Sequence, residues 1–180
     1  MVDVAVFLDR DGVLNAVSVV NGVPRPPQTV EGLSILPGVE EACRLLRQAG
    51  FRLIVATNQP DIARGRQTVA GVEHLNDKLR RHLPLDAVYT CPHDDQDKCD
   101  CRKPKPGLLL AGARAHDIDL AGSFMVGDRD KDIEAGRAAG CRTVFVASGY
   151  GVLPDPPADL TVASLREAVP WIISHVGKQG

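Results

Sequence analysis

Asp9-Arg10-Asp11-Gly12 sets two carboxylates two residues apart, directly after the apolar run VDVAVFL (2–8). A carboxylate can act as a nucleophile, and a carboxylic acid two residues on can protonate a leaving oxygen and then deprotonate an attacking water. A further acid, Asp128, follows the run SFMVG (123–127) and opens the stretch Asp128-Arg129-Asp130-Lys131-Asp132. Three carboxylates converging from Asp9, Asp11 and Asp128 repel one another unless a cation compensates them, and hard oxygen ligands of this kind suit Mg²⁺. Mg²⁺ in turn favours phosphate. A transferring phosphoryl group spreads negative charge over its oxygens, so the site also needs donors and a cation aimed at them. Thr57, in the Thr57-Asn58-Gln59 stretch after FRLIVA (51–56), and Lys103 are placed to supply these.

The segment TCPHDDQDKCDCRKPKPG (90–107) raises a second kind of chemistry. Cys91, His93, Cys99 and Cys101 supply three thiolates and an imidazole, a closed set that saturates a tetrahedral structural Zn²⁺ and leaves no open catalytic position. Zinc would rigidify a loop too short and polar to build a core of its own, fixing Arg102 and Lys103 where a phosphate arrives. The remaining cysteines, Cys43 and Cys141, fall on helix and strand patterns and read as packing. An odd number of cysteines, bunched in one loop, does not describe a secreted disulfide framework. His74, His82, His116 and His175 lie on or beside helical patterns and read as surface or core residues. Lys105 has no assigned task, and Trp171 is expected to pack the last helix.

These residues must be carried by a scaffold. Runs at 2–8, 51–56, 86–90, 123–127 and 141–147 alternate with helical patterns, which argues for a mostly parallel sheet flanked by helices in one α/β domain spanning 1–180. The first helix is expected to start at Pro37, bury Val39, Ala42, Cys43, Leu46 and Ala49, and stop at Gly50. The second starts near Thr68 and buries Val72, Leu75, Leu79 and Leu83, with its charged side read as a solvated face. Others fit 107–116, 130–139 and 164–175. The stretch 16–35, with Gly22, Pro24, Pro26 and Pro27, reads as a long irregular loop, and such a loop after the first strand is expected to be functional. Ligands of parallel α/β sheets bind beyond the carboxyl ends of the strands, which is where every residue named above as chemical falls.

Composition excludes other classes. A 180-residue chain with 44% hydrophobic residues and a formal charge of −2 has no broad basic surface for nucleic acid or anionic membrane. No apolar run approaches the ~20 residues of a bilayer span, and the start of the chain lacks a basic leader region, so a cytoplasmic protein with a small-molecule partner is expected.

Asp9-x-Asp11-Gly12, Thr57-Asn58-Gln59, Lys103-Pro104 and Gly127-Asp128-x-x-x-Asp132 resemble, in order, the four motifs of the haloacid dehalogenase (HAD) superfamily of aspartate-nucleophile phosphatases. Within it, DRDGVLN, ATNQPDIARG and CPH…CDCRKPKPG are similar to compact branches with a zinc loop that act on heptose bisphosphates and on histidinol phosphate. The resemblance implies a Rossmann-like fold without a large cap domain and Mg²⁺-dependent hydrolysis of a small phosphate monoester, the 7-phosphate of a heptose bisphosphate in first place. It assigns Asp9 as nucleophile and Mg²⁺ ligand, Asp11 as acid/base with its carbonyl on the metal, and Asp128 as the remaining metal carboxylate. Thr57 and Lys103 would hold phosphoryl oxygens, and Asn58, Gln59, Arg102 and Arg129 would contact a phosphorylated sugar. Asp132 would orient a neighbouring cation, and the 16–35 loop would lie over the substrate with Val17, Ser18, Val19 and Val20 nearest. A monomer is implied. The chain departs from the heptose pattern at Pro60-Asp61, where Ser-Gly is usual, and at Arg129, where Lys is common. The rival reading is a zinc-stabilised module that binds a phosphorylated ligand without turnover, against which the Asp9/Asp11 pair weighs.

Overall fold

The computed structural model describes residues 3–176. In chain order the elements are β1 (Ala5–Leu8), β2 (Ser18–Val20), β3 (Val23–Arg25), α1 (Val39–Gln48), β4 (Arg52–Asn58), α2 (Val69–His82), β5 (Ala87–Cys91), α3 (Gly107–His116), β6 (Phe124–Gly127), α4 (Asp130–Ala139), β7 (Arg142–Val146), β8 (Leu160–Val162) and α5 (Leu165–Ser174), with a single 3₁₀ turn at Asp95–Asp97. Six of the strands form a sheet ordered β5-β4-β1-β6-β7-β8, and each neighbouring pair is parallel. The expected α/β architecture is therefore present as one domain. Val2, expected to open the first strand, lies outside the described residues, as does the end of the 1–180 range beyond 176.

Apolar side chains cover both faces of the sheet, which is why its strands read as continuous hydrophobic runs rather than as alternating ones. Val6 and Leu8 of β1 point into one core with Val39, Leu46, Leu75 and Ile172, while Ala5 and Phe7 point into the other with Leu109, Ala113 and Met125. The period of two along β1 thus splits the core between helices α1, α2 and α5 on one side and α3 and α4 on the other. Cys43 and Cys141 are buried as expected, and burial pushes both thiols up to about 12. Trp171 packs edge-on against Phe124 and lies beside His175.

Four local expectations change. Helix α1 begins at Val39 rather than Pro37, because Gly38 takes a left-handed conformation (φ 78°) at the cap. Strand β8 has no counterpart among the expected strands; its three residues, Leu-Thr-Val, are too few to carry a pattern, and only pairing with β7 makes them a strand. The 16–35 stretch is not wholly irregular, since β2 and β3 form an antiparallel hairpin. Its turn, Asn21-Gly22, has φ of 52° and 73°, the two positive values that a two-residue hairpin loop requires. The Val-Asn-Gly-Val run is the signal for it. Finally, the charged side of α2 is not all solvated: Lys78 donates to the carbonyls of Val30 and Leu33, both at 2.8 Å, and Asn76 is fully buried. The lysine bonds pin the chain that returns from the hairpin.

Candidate active site

Beyond the carboxyl ends of β1, β4, β5 and β6 lies a cavity of about 460 Å³ whose wall includes Asp9, Asp11, Val17, Asn58, Gln59, Arg102, Lys103, Asp128, Arg129 and Asp132. The parallel sheet brings these together because the segments that carry them follow different strands ending at the same edge. Not all the sequence-predicted residues reach it. Ser18, Val19 and Val20 stand exposed on the outer strand of the hairpin, and the returning strand supplies Val23, Pro24 and Arg25 instead. Thr57 is buried beneath the floor, where its hydroxyl accepts from Gln59 Nε2 at 2.8 Å.

At the floor, Lys103 is 2% exposed and its ammonium donates to Asp9 Oδ1 at 2.9 Å and to the Ala56 carbonyl at 2.7 Å, with Asp132 Oδ1 at 2.6 Å. Burial opposes the charge on Lys103, but Asp132 and Asp9 outweigh it and hold its pKa above the usual lysine value. The same ammonium explains Asp132, whose expected task was to orient a neighbouring cation. Asp132 Oδ2 also accepts from the Arg129 amide at 3.0 Å, closing the first turn of α4. Gly127 permits this approach: a Cβ there would fall 2.1 Å from the Asp132 Cβ. On the other side, Asn58 and Lys103 exchange two hydrogen bonds, Asn58 Nδ2 to the Lys103 carbonyl at 3.0 Å and the Lys103 amide to Asn58 Oδ1 at 3.1 Å. Asn58, read as a substrate contact, thus also ties β4 to the lysine.

The three carboxylates that converge are Asp9, Asp128 and Asp132, with one oxygen of each within 4.8 Å of the others. The Asp11 side chain does not join them, contrary to the expected trio of Asp9, Asp11 and Asp128. It is held by Arg10 Nη2 at 3.0 Å, Asn15 Nδ2 at 2.9 Å and Gln59 Nε2 at 2.7 Å. The reason is Arg10: its side chain is completely buried, and a buried guanidinium requires a counter-ion. A metal role for Asp11 would therefore fall to its carbonyl, as the resemblance implied.

The carboxylate group fits a divalent cation. Burial, then Asp132, Asp128 and Asp11, hold the Asp9 carboxyl well above the usual range, with Lys103 only partly offsetting them. Burial and Asp132 likewise raise Asp128 to about 6. Asp128 Oδ2 accepts from the Tyr150 hydroxyl at 2.9 Å, whereas Asp128 Oδ1 is buried with no hydrogen-bond partner among the described residues. A buried carboxylate oxygen without a donor is costly unless something else satisfies it. Three carboxylates against one ammonium leave two negative charges uncompensated, the charge of one Mg²⁺, and oxygen donors are what Mg²⁺ takes.

The cysteine loop also closes on itself. Cys91, His93, Cys99 and Cys101 offer ligand atoms within 4.8 Å of one another. The Cys91–Cys99 and Cys99–Cys101 sulfurs lie 3.7 and 3.6 Å apart, and His93 Nδ1 is 3.6 and 3.3 Å from Cys91 and Cys101. These approach the edges of a tetrahedron with zinc–sulfur bonds of about 2.3 Å, while the Cys91–Cys101 edge, at 3.0 Å, is shorter and would have to open around the ion. Burial pushes the Cys91 and Cys101 thiols up, while at Cys99 burial is outweighed by hydrogen bonds from the Arg102 amide and the Cys101 and Cys91 thiols, which draw it down to about 7. A metal would let all three ionise together.

The loop holds Arg102 directly, whereas Lys103 is fixed instead by Asp9, Asp132, Asn58 and the Ala56 carbonyl. Arg102 donates from Nη1 to the carbonyl of the ligand residue His93 at 3.3 Å and from Nε to Asp95 Oδ1 at 2.8 Å. Sequence reasoning missed a second strap: Arg64, on the cavity wall, makes a two-pronged pair with Asp94 of the same loop at 2.6 and 2.8 Å. Arg25, Arg66 and Lys131 also line the wall and were not singled out. The signal for Arg64, Arg66 and Lys131, a density of basic residues in 60–66 and 129–131, becomes meaningful only once the fold sets those segments side by side. Lys105 is not free, donating to the Cys99 carbonyl at 2.7 Å.

A family model described as HAD-hydrolase-like matches residues 100–168. D-glycero-beta-D-manno-heptose-1,7-bisphosphate 7-phosphatase of Escherichia coli strain K12 is 39% identical over 178 residues, spanning 91% of this chain and 90% of that protein. The D-glycero-D-manno-heptose-1,7-bisphosphate 7-phosphatase of Thermosynechococcus vestitus is 38% identical, covering 96% of both. Among solved structures, D,D-heptose 1,7-bisphosphate phosphatase from B. bronchiseptica, complexed with magnesium and phosphate, superposes with a TM-score of 0.81 at 32% identity, covering 96% of this chain and 99% of that one. The chain belongs to the HAD-like hydrolase family and is a phosphatase-class enzyme of it.

Proposed function

We propose that this enzyme removes the 7-phosphate of D-glycero-D-manno-heptose 1,7-bisphosphate through an aspartyl-phosphate on Asp9. The observation that carries the chemistry is the buried group of Asp9, Asp128 and Asp132 with Lys103 between Asp9 and Asp132, at the floor of a cavity rimmed by cations. The relatives carry the substrate.

Asp9 and Asp128, with the Asp11 carbonyl, are the residues that would hold Mg²⁺. When bound, that ion supplies charge compensation for the phosphoryl oxygens and for the carboxylates themselves. A carboxylate oxygen of Asp9 attacks phosphorus, and the P–O bond to the sugar breaks as Asp11 delivers a proton to the departing oxygen. Asp11, now a carboxylate, takes a proton from water; the water oxygen attacks phosphorus, the acyl phosphate bond breaks, and Asp9 is regenerated with release of inorganic phosphate. To do this Asp11 must take up a proton and leave its bonds to Arg10, Gln59 and Asn15, so substrate entry is read as releasing it from the guanidinium as well as from the two amides. Lys103 balances charge on the phosphoryl oxygens, and Thr57 contributes through Gln59. Arg102, Arg129, Asn58 and Gln59 bind the sugar phosphate beneath the hairpin rim, where Val17 lines the cavity together with Val23, Pro24 and Arg25. Cys91, His93, Cys99 and Cys101 would hold a structural Zn²⁺, which would stiffen the loop whose His93 carbonyl and Asp94 carboxylate bond Arg102 and Arg64. The substrate is soluble and phosphorylated. Among the described residues, no helix is long and apolar enough to cross a membrane, in keeping with a cytoplasmic enzyme.

The test is phosphate release from heptose 1,7-bisphosphate and from histidinol phosphate, side by side in Mg²⁺. A preference of about a hundredfold in kcat/KM for the heptose, roughly 2.7 kcal/mol of transition-state discrimination, is the expected result. A preference for histidinol phosphate would sink the substrate. Turnover retained in Asp9→Asn would sink the mechanism.

A further inference from the structure

Tyr150 belongs to none of the motifs that carry the phosphatase chemistry, yet it touches two residues of the site at once. Its hydroxyl donates to Asp128 Oδ2 at 2.9 Å, and its ring lies under the Arg129 guanidinium, 5.6 Å from carbon to ring centroid. The opposite oxygen, Asp128 Oδ1, is the buried one with no hydrogen-bond partner among the described residues. One oxygen of the carboxylate is therefore fixed and the other presented.

The backbone around this contact is shaped to allow it. Gly12, at φ 88°, follows the catalytic pair, and a Cβ on it would fall 2.2 Å from Asp128 Oδ2 and 2.4 Å from the Tyr150 hydroxyl. Any side chain there would occupy the hydrogen bond itself. Gly151 brings the loop after β7 so near that a Cβ would lie 2.6 Å from the Asp128 carbonyl oxygen. Gly12 thus leaves room for the hydroxyl, and Gly151 lets the loop that carries Tyr150 lie against the Asp128 backbone.

We infer that Tyr150 is a positioning residue with two outputs: it orients Asp128 for the metal and holds Arg129 in place over the cavity mouth. This rests on the Mg²⁺ reading of the carboxylate group. A carboxylate ligand whose second oxygen is hydrogen-bonded is pre-oriented, so less ordering remains to be done when the ion arrives, and removing such an outer partner typically costs 10–100-fold in metal affinity. The guanidinium, whose Nε also lies 3.8 Å from Asp128 Oδ2, is held over the ring by attraction to its face, a contribution that survives loss of the hydroxyl but not of the ring.

The two outputs separate by substitution. Tyr150→Phe keeps the ring and should weaken Mg²⁺ binding by about 10-fold or more, measured without substrate by calorimetry or by the Mg²⁺ dependence of the unfolding temperature, while KM at saturating Mg²⁺ stays near that of the parent. Tyr150→Ala should weaken Mg²⁺ binding as much and in addition raise KM several-fold. A Tyr150→Phe protein that binds Mg²⁺ within twofold of the parent overturns the metal output. An Ala variant whose KM matches that of the Phe variant overturns the arginine output. Failure of the parent protein to bind Mg²⁺ would bring down the metal reading beneath both, a distinct result. A measurement on the unaltered chain guards against misfolded variants. With tyrosine labelled at ¹³Cζ, the sequence contributes two signals, Tyr89 and Tyr150. Mg²⁺ alone should move the Tyr150 signal, assigned through Tyr89→Phe, and a Tyr150 signal unmoved at saturating Mg²⁺ contradicts the contact.

Discussion

Replacing Asp132 by Asn tests the charge balance at the cavity floor, because the amide keeps the shape and removes one of the three carboxylate charges. Lys103 and Asp132 are each 2% exposed and 2.6 Å apart, so the pair is buried, and taking away one partner of a buried pair typically costs about 3–5 kcal/mol. The cost must depend on the metal. With Mg²⁺ bound, the three carboxylates, the ammonium and the ion sum to neutrality, and the variant leaves one buried positive charge uncompensated. Without it, the same substitution relieves repulsion among Asp9, Asp128 and Asp132, and the loss is partly offset. For a domain of this length each kcal/mol moves the melting temperature by roughly 2–4 °C. Asp132→Asn should therefore melt about 6–20 °C below the parent in saturating Mg²⁺, and by distinctly less in chelator. The assay is calorimetric or fluorimetric unfolding at neutral pH with and without the ion. A variant within about 2 °C of the parent in Mg²⁺, or one hurt more in chelator than in Mg²⁺, would refute this account of the floor.

Other consequences follow from the same geometry. Asp128 has its folded pKa raised from 3.8 to about 6, so in metal-free protein its contribution favours folding below the unfolded value and is lost as pH rises through about 6. The loss is on the order of 3 kcal/mol. Mg²⁺ should cancel it, and the gain in melting temperature on adding Mg²⁺ should accordingly grow between about pH 4.5 and about pH 7.5; an equal gain at both would contradict the raised carboxyl. Cys99→Ser should free the zinc loop, and with it Arg102 and the Arg64–Asp94 strap. The expected result is at least roughly a tenfold rise in KM together with faster amide exchange in both 91–102 and 60–66. Exchange confined to the zinc loop would show that the strap does not couple them.

Much of the site is legible in the linear order of residues, and the reason is local. Asp9, Asp11, Thr57 and Asp128 come after apolar runs, and Lys103 after the polar loop that follows one; in a parallel sheet the ends of such runs must meet at one edge, so their order along the chain predicts convergence. The zinc set is legible for a similar reason, its four ligands lying within eleven consecutive positions. Even the hairpin has a written signal in Asn21-Gly22, masked by the prolines around it.

What the fold alone decided concerns which partner each charge takes. Composition cannot tell that Arg10 is wholly buried, and that burial is what draws Asp11 aside and leaves Asp132 as the third carboxylate of the cluster. Nor can spacing tell that the loop after β7 folds back to set Tyr150 against Asp128, or that Arg64 and Asp94, thirty residues apart, pair across the cavity wall. Motif order follows from strand ends, which a linear pattern encodes. Charge pairing follows from desolvation and distance, which exist only once the strands, helices and loops have packed.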